Sequence, residues 1–328
     1  MGRSTATDRS SAPDARSSPA AARRTRSLDE LFPADDDAGS TAERFYRLRQ
    51  FTKRELVYGY LCYPFGKRRQ QTLADGAERS QEHLYTAFYR LPAQLQALIG
   101  PVLDHAGVDE EGCRTDPLRI SVVAGSIGAE VYTIASVLAA AVPDLPVEIE
   151  CSDLHESVLE SARRATYEPT KVLRRGVPTS FVDATFERRD GSIVVREPIR
   201  SQVRFSTANI VDDDLASLHQ RSDLVFAQNV FCHLDDETTS LAFDNIMGIA
   251  KPRAAVFIDG MSLDARVRLT ARHDLDPLDV DVSTIHRQSR RHIPTRWWER
   301  YYGFEPYLPY RRDRLRRYST IFTREGGK

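Results

Sequence analysis

The chain has 328 residues, 41% of them hydrophobic, and its 46 Lys and Arg residues balance 47 Asp and Glu residues. This composition can bury one substantial core, and the balanced charge excludes a global field that recruits nucleic acid. No apolar stretch approaches the roughly 20 residues of a membrane span. The four cysteines form no C-x-x-C pair, which argues against a disulfide framework and a metal site and favours a cytoplasmic protein.

The chain divides into three parts by composition. Residues 1–38 contain few large apolar side chains, so they cannot offset the entropy of ordering and are predicted to form a disordered leader. Residues 39–110 are aromatic-rich and have a helical pattern, in which Pro92 breaks or begins a helix. Residues 111–328 alternate between strand and helix patterns and are predicted to form the main domain.

The alternation predicts an α/β fold, a Rossmann-like, doubly wound and mostly parallel sheet with ligands at the C-terminal strand ends. Its predicted strands are "LRISVVA", "VEIECSD", "QVRFSTANI", "SDLVFAQNV" and "AAVFIDG". Its helices are "AEVYTIASVLAAA", "ESVLESARRA" and "TTSLAFDNIMGIA". The tail segment "IPTRWWERYYGF" predicts a helix, and "FEPYLPYRRDRLRRYSTIFTRE" predicts a C-terminal antiparallel hairpin.

Two glycines lie between the first strand and its helix. Gly125 and Gly128 have no Cβ, so a ligand can approach the backbone, and the helix start presents N–H groups toward an anion. A tight turn without a ligand is the alternative. A dinucleotide is less well supported because G-x-G-x-x-G is absent.

Four segments in register carry a family resemblance: "LRISVVAGSIGAEVYTIA", "IECSDLHESVLESARRATY", "FERRDGSIVVREPIRSQVRFSTANI" and "SDLVFAQNVFCHLDDET". Over about residues 82–260 the chain resembles the CheR-type chemotaxis-receptor glutamate methyltransferases, which use S-adenosylmethionine (SAM). The resemblance implies SAM as cofactor. It implies a binding site formed by Ala124, Gly125, Gly128, Glu130, Asp153, Asn209, Ile210, Asn229 and Val230.

Two of these residues have an alternative role that the sequence leaves open. Asp153 ends the second strand, where a carboxylate can accept hydrogen bonds from both ribose hydroxyls, or it caps the following helix. Asn209 follows the third strand, where the family contacts SAM, or it is a turn residue.

The departures from the family predict a changed substrate. The glycine loop is one residue shorter, and Ala129 replaces the first acid of a Glu-Glu pair, so the way in which the methionyl end is held is undetermined. Gln228 replaces an Arg and His233 replaces a Tyr. His233 is predicted to act as a general base, with packing at a strand end as the alternative.

These changes favour a small-molecule acceptor, a specialised (secondary) metabolite with aromatic or indole-like character, methylated in line on O, N or C. Aromatic and imidazole side chains of the two flanking regions are candidates for its pocket, with core packing as the alternative: Tyr58, Tyr63, His286 and Trp297. The acids of "LDDET" are expected to cap a helix rather than bind a metal.

Three other functions stay open at this stage. The nearest is a protein glutamate carboxyl O-methyltransferase of the CheR type. The second is a non-catalytic binding module that kept the fold, since Ala129 and the shortened loop depart from the family. The third, a nicotinamide-dependent oxidoreductase, shares the architecture but not the strand 4 Asn-Val. A homodimer is left open.

Overall fold

The computed structural model describes residues 24, 27–35, 86–173, 176–212, 215–291 and 305–326, with scattered positions between 49 and 68. Tyr58 and Trp297 lie outside the described residues. In the part of the chain that is described, no helix is long and apolar enough to cross a bilayer.

The strands form one large sheet and one small sheet. Their bounds are β1 Leu118–Val123, β2 Val147–Asp153, β3 Thr166–Tyr167, β4 Phe186–Arg189, β5 Ser192–Val195, β6 Val203–Thr207, β7 Ser222–Gln228, β8 Ala250–Asp259, β9 Asp276–Pro277 and β10 Ile321–Arg324. Among the described residues the large sheet has the order β6-β2-β1-β7-β8-β10-β9 and the small one β3-β5-β4. Strands β6, β2, β1, β7 and β8 are parallel, and β10 is antiparallel to both neighbours.

The described helices connect and cover these strands. They are α1 Leu28–Leu31, α2 Pro92–Ala97, α3 Leu103–His105, α4 Ala129–Ala141, α5 Glu156–Arg164, α6 Pro169–Val172, α7 Thr179–Thr185, α8 Glu197–Arg200, α9 Leu215–Leu218, α10 Asp236–Ile249, α11 Leu263–Arg272, α12 Val282–Arg291 and α13 Arg314–Tyr318. A π-helical turn, Leu98–Val102, joins α2 to α3, and a 3₁₀ turn, Phe231–His233, follows β7.

The sheet has a core on each face, as the doubly wound prediction requires. On one face, Val122 and Phe226 pack with α4, which is buried on nearly all sides. On the other face, Val225 and Ile258 pack with α10. Because alternate residues of each central strand point to opposite cores, these strands have continuous apolar runs. The arrangement places the C-terminal ends of β1, β2, β7 and β8 at one edge.

The predicted leader is wrong at residues 27–35. Leu28 and Phe32 are 3% and 2% exposed, and the Phe32 ring packs edge-on against Tyr89 and Phe181 at 6.1 and 5.3 Å between centroids. Leu28, Leu31 and Phe32 share the i, i+3, i+4 face of a helical turn. This short apolar face is hidden when composition is averaged over the first 38 residues.

The C-terminal antiparallel strand is confirmed as β10, but its partners are not the predicted hairpin, because β10 lies between β8 and β9. The antiparallel neighbour of β10 on its outer side is β9, which lies far upstream in the sequence. The segment "RRDRLRRY" contains α13, Arg314–Tyr318, and Glu305 is a buried acceptor that anchors it. Arg317 donates to Glu305 Oε2 at 2.8 Å and Tyr318 donates to Oε1 at 2.6 Å. This ion pair and this hydrogen bond hold a helix where the sequence predicts a hairpin.

Candidate functional site

The loop after β1 is strained at two non-glycine residues. Ala124 and Ser126 have φ of 56° and 53°, in the left-handed region that non-glycine residues rarely adopt. Gly128, at 90°, ends the loop as the N-cap of α4. A Cβ on Gly125 would lie 2.1 Å from Cys151 Sγ. Packing against β2 and a left-handed turn therefore explain both glycines, and close approach of a ligand stays a prediction.

Asp153 joins the loop after β1 to the loop after β2. Its Oδ2 accepts from the Ser126 N–H at 2.9 Å and its Oδ1 accepts from the His155 N–H at 3.1 Å. His155, not Asp153, is the N-cap of α5, so the helix-cap alternative does not hold. A carboxylate with two such bonds retains acceptor capacity, and the ribose role stays a prediction.

Asn229 follows β7 in a strained conformation, with φ of 59°. Its N–H donates to Asp259 O at 2.9 Å, which ties the end of β7 to the end of β8. Gly260 packs directly behind it, because a Cβ there would lie 2.6 Å from Asn229 Cα. Two adjacent strand ends therefore hold Asn229 in place.

Arg90 is a site residue that the sequence analysis missed. With the Asn229 amide oxygen facing it, Arg90 donates to that oxygen from both terminal nitrogens, at 2.7 and 3.1 Å. Arg90 also lies 3.8 Å from Glu130 Oε1. Its signal in the sequence is one charged residue inside the run "AFYRL", whose other members are all buried. The segment before the main domain thus supplies a cation to the sheet edge.

The charges at this edge influence one another. Burial raises the pKa of the Glu130 carboxyl above its ordinary value, Arg90 opposes that rise, and Asp259 adds to it. Asp259 accepts from Arg266 at 3.1 Å, and Arg266 is 1% exposed. Two acids and two arginines therefore share the ends of β1, β7 and β8.

The remaining predicted cofactor residues lie at the same edge. Asn209 donates to Asp212 Oδ1 at 3.0 Å and accepts from the Val211 N–H at 3.3 Å, so its amide serves its own turn. Ile210 is buried and Val230 is partly buried, both against the α10 core. The contacts of Asn209 match the turn alternative, and its contact with SAM stays a prediction.

His233 ends the 3₁₀ turn that follows β7. Desolvation lowers the pKa of its imidazole below the ordinary value, and the charge of Asp153 acts in the opposite direction. The ring is therefore neutral at neutral pH. Asp235 is the N-cap of α10 and accepts from the Thr238 N–H at 2.8 Å, which confirms the predicted cap.

Two of the predicted acceptor-pocket residues, Tyr63 and His286, are described, and they have different surroundings. His286 is 2% exposed, its Nε2 lies 2.9 Å from Glu305 O, and its ring packs on Tyr318, so it is a core residue. Tyr63 is 59% exposed and stacks on Phe65 at 5.6 Å between centroids. The structure gives no shared pocket for these two residues.

The chain matches the family model described as "CheR methyltransferase, SAM binding domain" over residues 85–263, more than half of its length. The parallel order of β6, β2, β1, β7 and β8, with polar residues at their C-terminal ends, is the architecture of a Rossmann-like methyltransferase. The chain belongs to the CheR methyltransferase family.

Curated relatives agree with this assignment. "Probable biofilm formation methyltransferase WspC" of Pseudomonas aeruginosa is 27% identical over 173 residues, 52% of this chain and 40% of the relative. "Chemotaxis protein methyltransferase 2" of the same organism is 30% identical over 149 residues, 44% of this chain and 52% of the relative. A Vibrio cholerae protein of the same name is 27% identical over 177 residues, 53% of this chain and 60% of the relative. The chain spans about half the length of these relatives.

Among solved structures, the chain is similar to magnesium protoporphyrin IX methyltransferase (ChlM) from Synechocystis PCC 6803 with bound SAM. The identity is 15%, the TM-score is 0.33, and the match covers 69% of this chain and 87% of that one.

The residues at the sheet edge fit SAM chemically. Arg90 offers a guanidinium to a carboxylate, and Glu130 offers a carboxylate to an ammonium, so together they complement the zwitterionic methionyl end. Asp153 at the end of β2 offers acceptors to ribose hydroxyls. The Arg90 and Glu130 pair offers one way to hold the methionyl end although the first acid of the family's pair is Ala129, and this role stays a prediction.

Proposed function

We propose that the chain is a SAM-dependent methyltransferase that esterifies a carboxylate side chain of a protein. The observation that carries the proposal is the contact of Arg90 with Glu130 and Asn229, which gathers one cation, one anion and one amide at the ends of β1 and β7. Support for a protein substrate comes from the relatives named for chemotaxis proteins. The small-molecule acceptor predicted from sequence has no comparable support.

Each residue has a defined task in this proposal. Arg90 binds the methionyl carboxylate and Glu130 its ammonium, while Asn229 keeps the Arg90 guanidinium in one orientation. Asp153 binds the ribose and keeps the two loops together. When bound, SAM supplies an electrophilic methyl group on a sulfonium. The protein aligns the acceptor oxygen with that methyl group and excludes water.

A carboxylate acceptor determines what His233 does. A carboxylate is already ionised at neutral pH, so its oxygen attacks without losing a proton and needs no base. His233 then lines the site without carrying a proton. A hydroxyl or amine acceptor would instead require His233, because a positioned base contributes about 10²–10⁴-fold to rate.

Transfer from SAM with a tritiated methyl group tests the proposal. The full chain is incubated with soluble and membrane proteins of its source cells, and separately with small aromatic alcohols and amines. We expect label on protein that mild alkali releases as volatile methanol, which is the behaviour of a carboxyl methyl ester. Alkali-stable label, or label only on small acceptors, would overturn the proposal.

A His233→Gln variant discriminates the two acceptor classes in the same assay. If the acceptor is a carboxylate, the variant should keep a kcat within about threefold of the unsubstituted chain, because methyl transfer to a carboxylate removes no proton. A loss of about a hundredfold or more, with the acidic limb of the pH profile removed, would favour a small acceptor with an acidic proton.

A further inference from the structure

We propose that Asp259 makes the site discriminate SAM from its demethylated product, S-adenosylhomocysteine (SAH), by attracting the positive sulfonium. The inference rests on the proposed function. It adds a residue at the end of β8 to a site otherwise formed by β1, β2 and β7, and it assigns that residue a preference between two ligands.

The geometry places Asp259 beside the methionyl site. The Arg90 guanidinium links Glu130 to Asn229, and the Asn229 N–H donates to Asp259 O at 2.9 Å. Asp259, Glu130 and Arg90 retain side-chain exposures of 14%, 17% and 13%. All three side chains are therefore partly accessible to a ligand, whereas Arg266, the ion-pair partner of Asp259, is 1% exposed.

The arrangement of charge matches SAM better than SAH. Both ligands carry an ammonium and a carboxylate, which Glu130 and Arg90 satisfy. Only SAM has a second cation, the sulfonium, about 5 Å along the chain from the ammonium. Asp259 already acts on the Glu130 carboxyl through its charge. The sulfonium lies close to the ammonium that Glu130 binds. The negative charge of Asp259 therefore acts on the sulfonium as well.

Asp259 is also the counterion of Arg266, which donates to its Oδ1 at 3.1 Å and to Ser319 O at 3.0 Å. A residue present only to neutralise Arg266 would affect both ligands equally, through stability. A residue that attracts the sulfonium would affect SAM and leave SAH nearly unchanged. The ratio of the two dissociation constants separates these roles.

Calorimetric titration of the full chain with SAM and with SAH measures this ratio. We expect Asp259→Asn to weaken the binding of SAM at least about fivefold and to change the affinity for SAH less than about twofold. Sinefungin has a protonated amine in place of the methylsulfonium, so its binding should weaken by a similar factor to that of SAM. The matched control is Asp264→Asn, because Asp264 is an exposed acid on α11 that pairs with Arg317 of α13. The ratio of the SAM and SAH dissociation constants should be unchanged in this control.

A second variant covers the case in which Asp259→Asn fails to fold because Arg266 is left without a counterion. The double variant Asp259→Asn with Arg266→Met removes both charges. We expect its preference for SAM over SAH to lie between the preference of the unsubstituted chain and that of Asp259→Asn. An unchanged ratio in both variants, with SAM and SAH still bound, would overturn this inference alone. If neither ligand binds the unsubstituted chain, the proposed function itself fails.

Discussion

Arg90 donates from both terminal nitrogens to the Asn229 side-chain oxygen, at 2.7 and 3.1 Å, and so connects a segment before the main domain to the end of β7. Asn229 is held from behind by Gly260 and by the carbonyl of Asp259. The cation of the candidate site therefore has a fixed position that depends on three separate parts of the chain.

Arg90→Lys should weaken the binding of SAM and of SAH alike by about tenfold or more, because the variant loses the two-pronged contact with Asn229 that orients the guanidinium toward the methionyl carboxylate. The comparison ligand is 5′-methylthioadenosine, which lacks the methionyl end. Its affinity should change less than about twofold. Arg204→Lys, an exposed change on β6, is the matched control. Equal losses for all three ligands would mean that Arg90 acts only on the fold.

SAM binding should weaken as the pH falls toward the acid range, because Glu130 must be ionised to bind an ammonium and burial raises its pKa. Titrations between about pH 5 and about pH 7 in two buffers of different ionisation enthalpy should reveal proton release on binding. Glu130→Gln should bind SAM at least about tenfold more weakly near pH 7 and lose this pH dependence. A persistent dependence would assign it to another group.

Gly260→Ala should destabilise the protein by about 1–3 kcal/mol and weaken SAM binding, since a left-handed φ and a 2.6 Å approach to Asn229 Cα leave no room for a Cβ. Gly248→Ala is the control: within α10 a Cβ meets nothing within 4 Å, so it should be neutral or stabilising by up to about 1 kcal/mol. Denaturant unfolding measures both. Equal midpoints for the two variants would contradict the packing argument.

Gly125→Ala should be destabilising because its Cβ would lie 2.1 Å from Cys151 Sγ, and Cys151→Ala in the same chain should restore most of the loss. Recovery of both stability and SAM binding in the double variant would assign Gly125 to strand packing. Recovery of stability without binding would instead show that the cofactor needs bare backbone there, as the sequence predicts. Thermal unfolding and SAM titration separate these outcomes.

His219 should make the protein acid-sensitive. Burial lowers its pKa from 6.5 to about 4, and its nitrogens lie 3.0 and 2.9 Å from the hydroxyls of Ser121 and Ser152. Between these pH values the unfolded chain binds a proton that the folded chain does not, so stability falls as the pH drops, by at most about 1.4 kcal/mol per unit.

Urea unfolding between about pH 7.5 and about pH 4.5 measures the slope. His219→Gln should be less stable at the upper pH, because its hydrogen bonds to the serines change, but its stability should fall less on acidification. An identical slope in the variant would show that other groups control acid unfolding.

The sequence by itself determined the parallel core, because its signals are local. Helix α4 and strand β2 have the predicted ends, since their apolar periodicity and flanking turn residues are complete within each segment. The same local signals placed Asp153, Asn229 and Glu130 at strand or helix ends, and hence at one edge of a parallel sheet.

Only the tertiary structure decided which of these residues meet. Arg90 and Glu130 are 40 residues apart in sequence but 3.8 Å apart in space, and no local periodicity encodes that contact. Helix α13 lies where the sequence predicted a charged hairpin, and its Arg317 and Tyr318 reach the buried Glu305. Ion pairs and packing with distant parts of the chain override local propensity wherever they stabilise a segment more than its own pattern does.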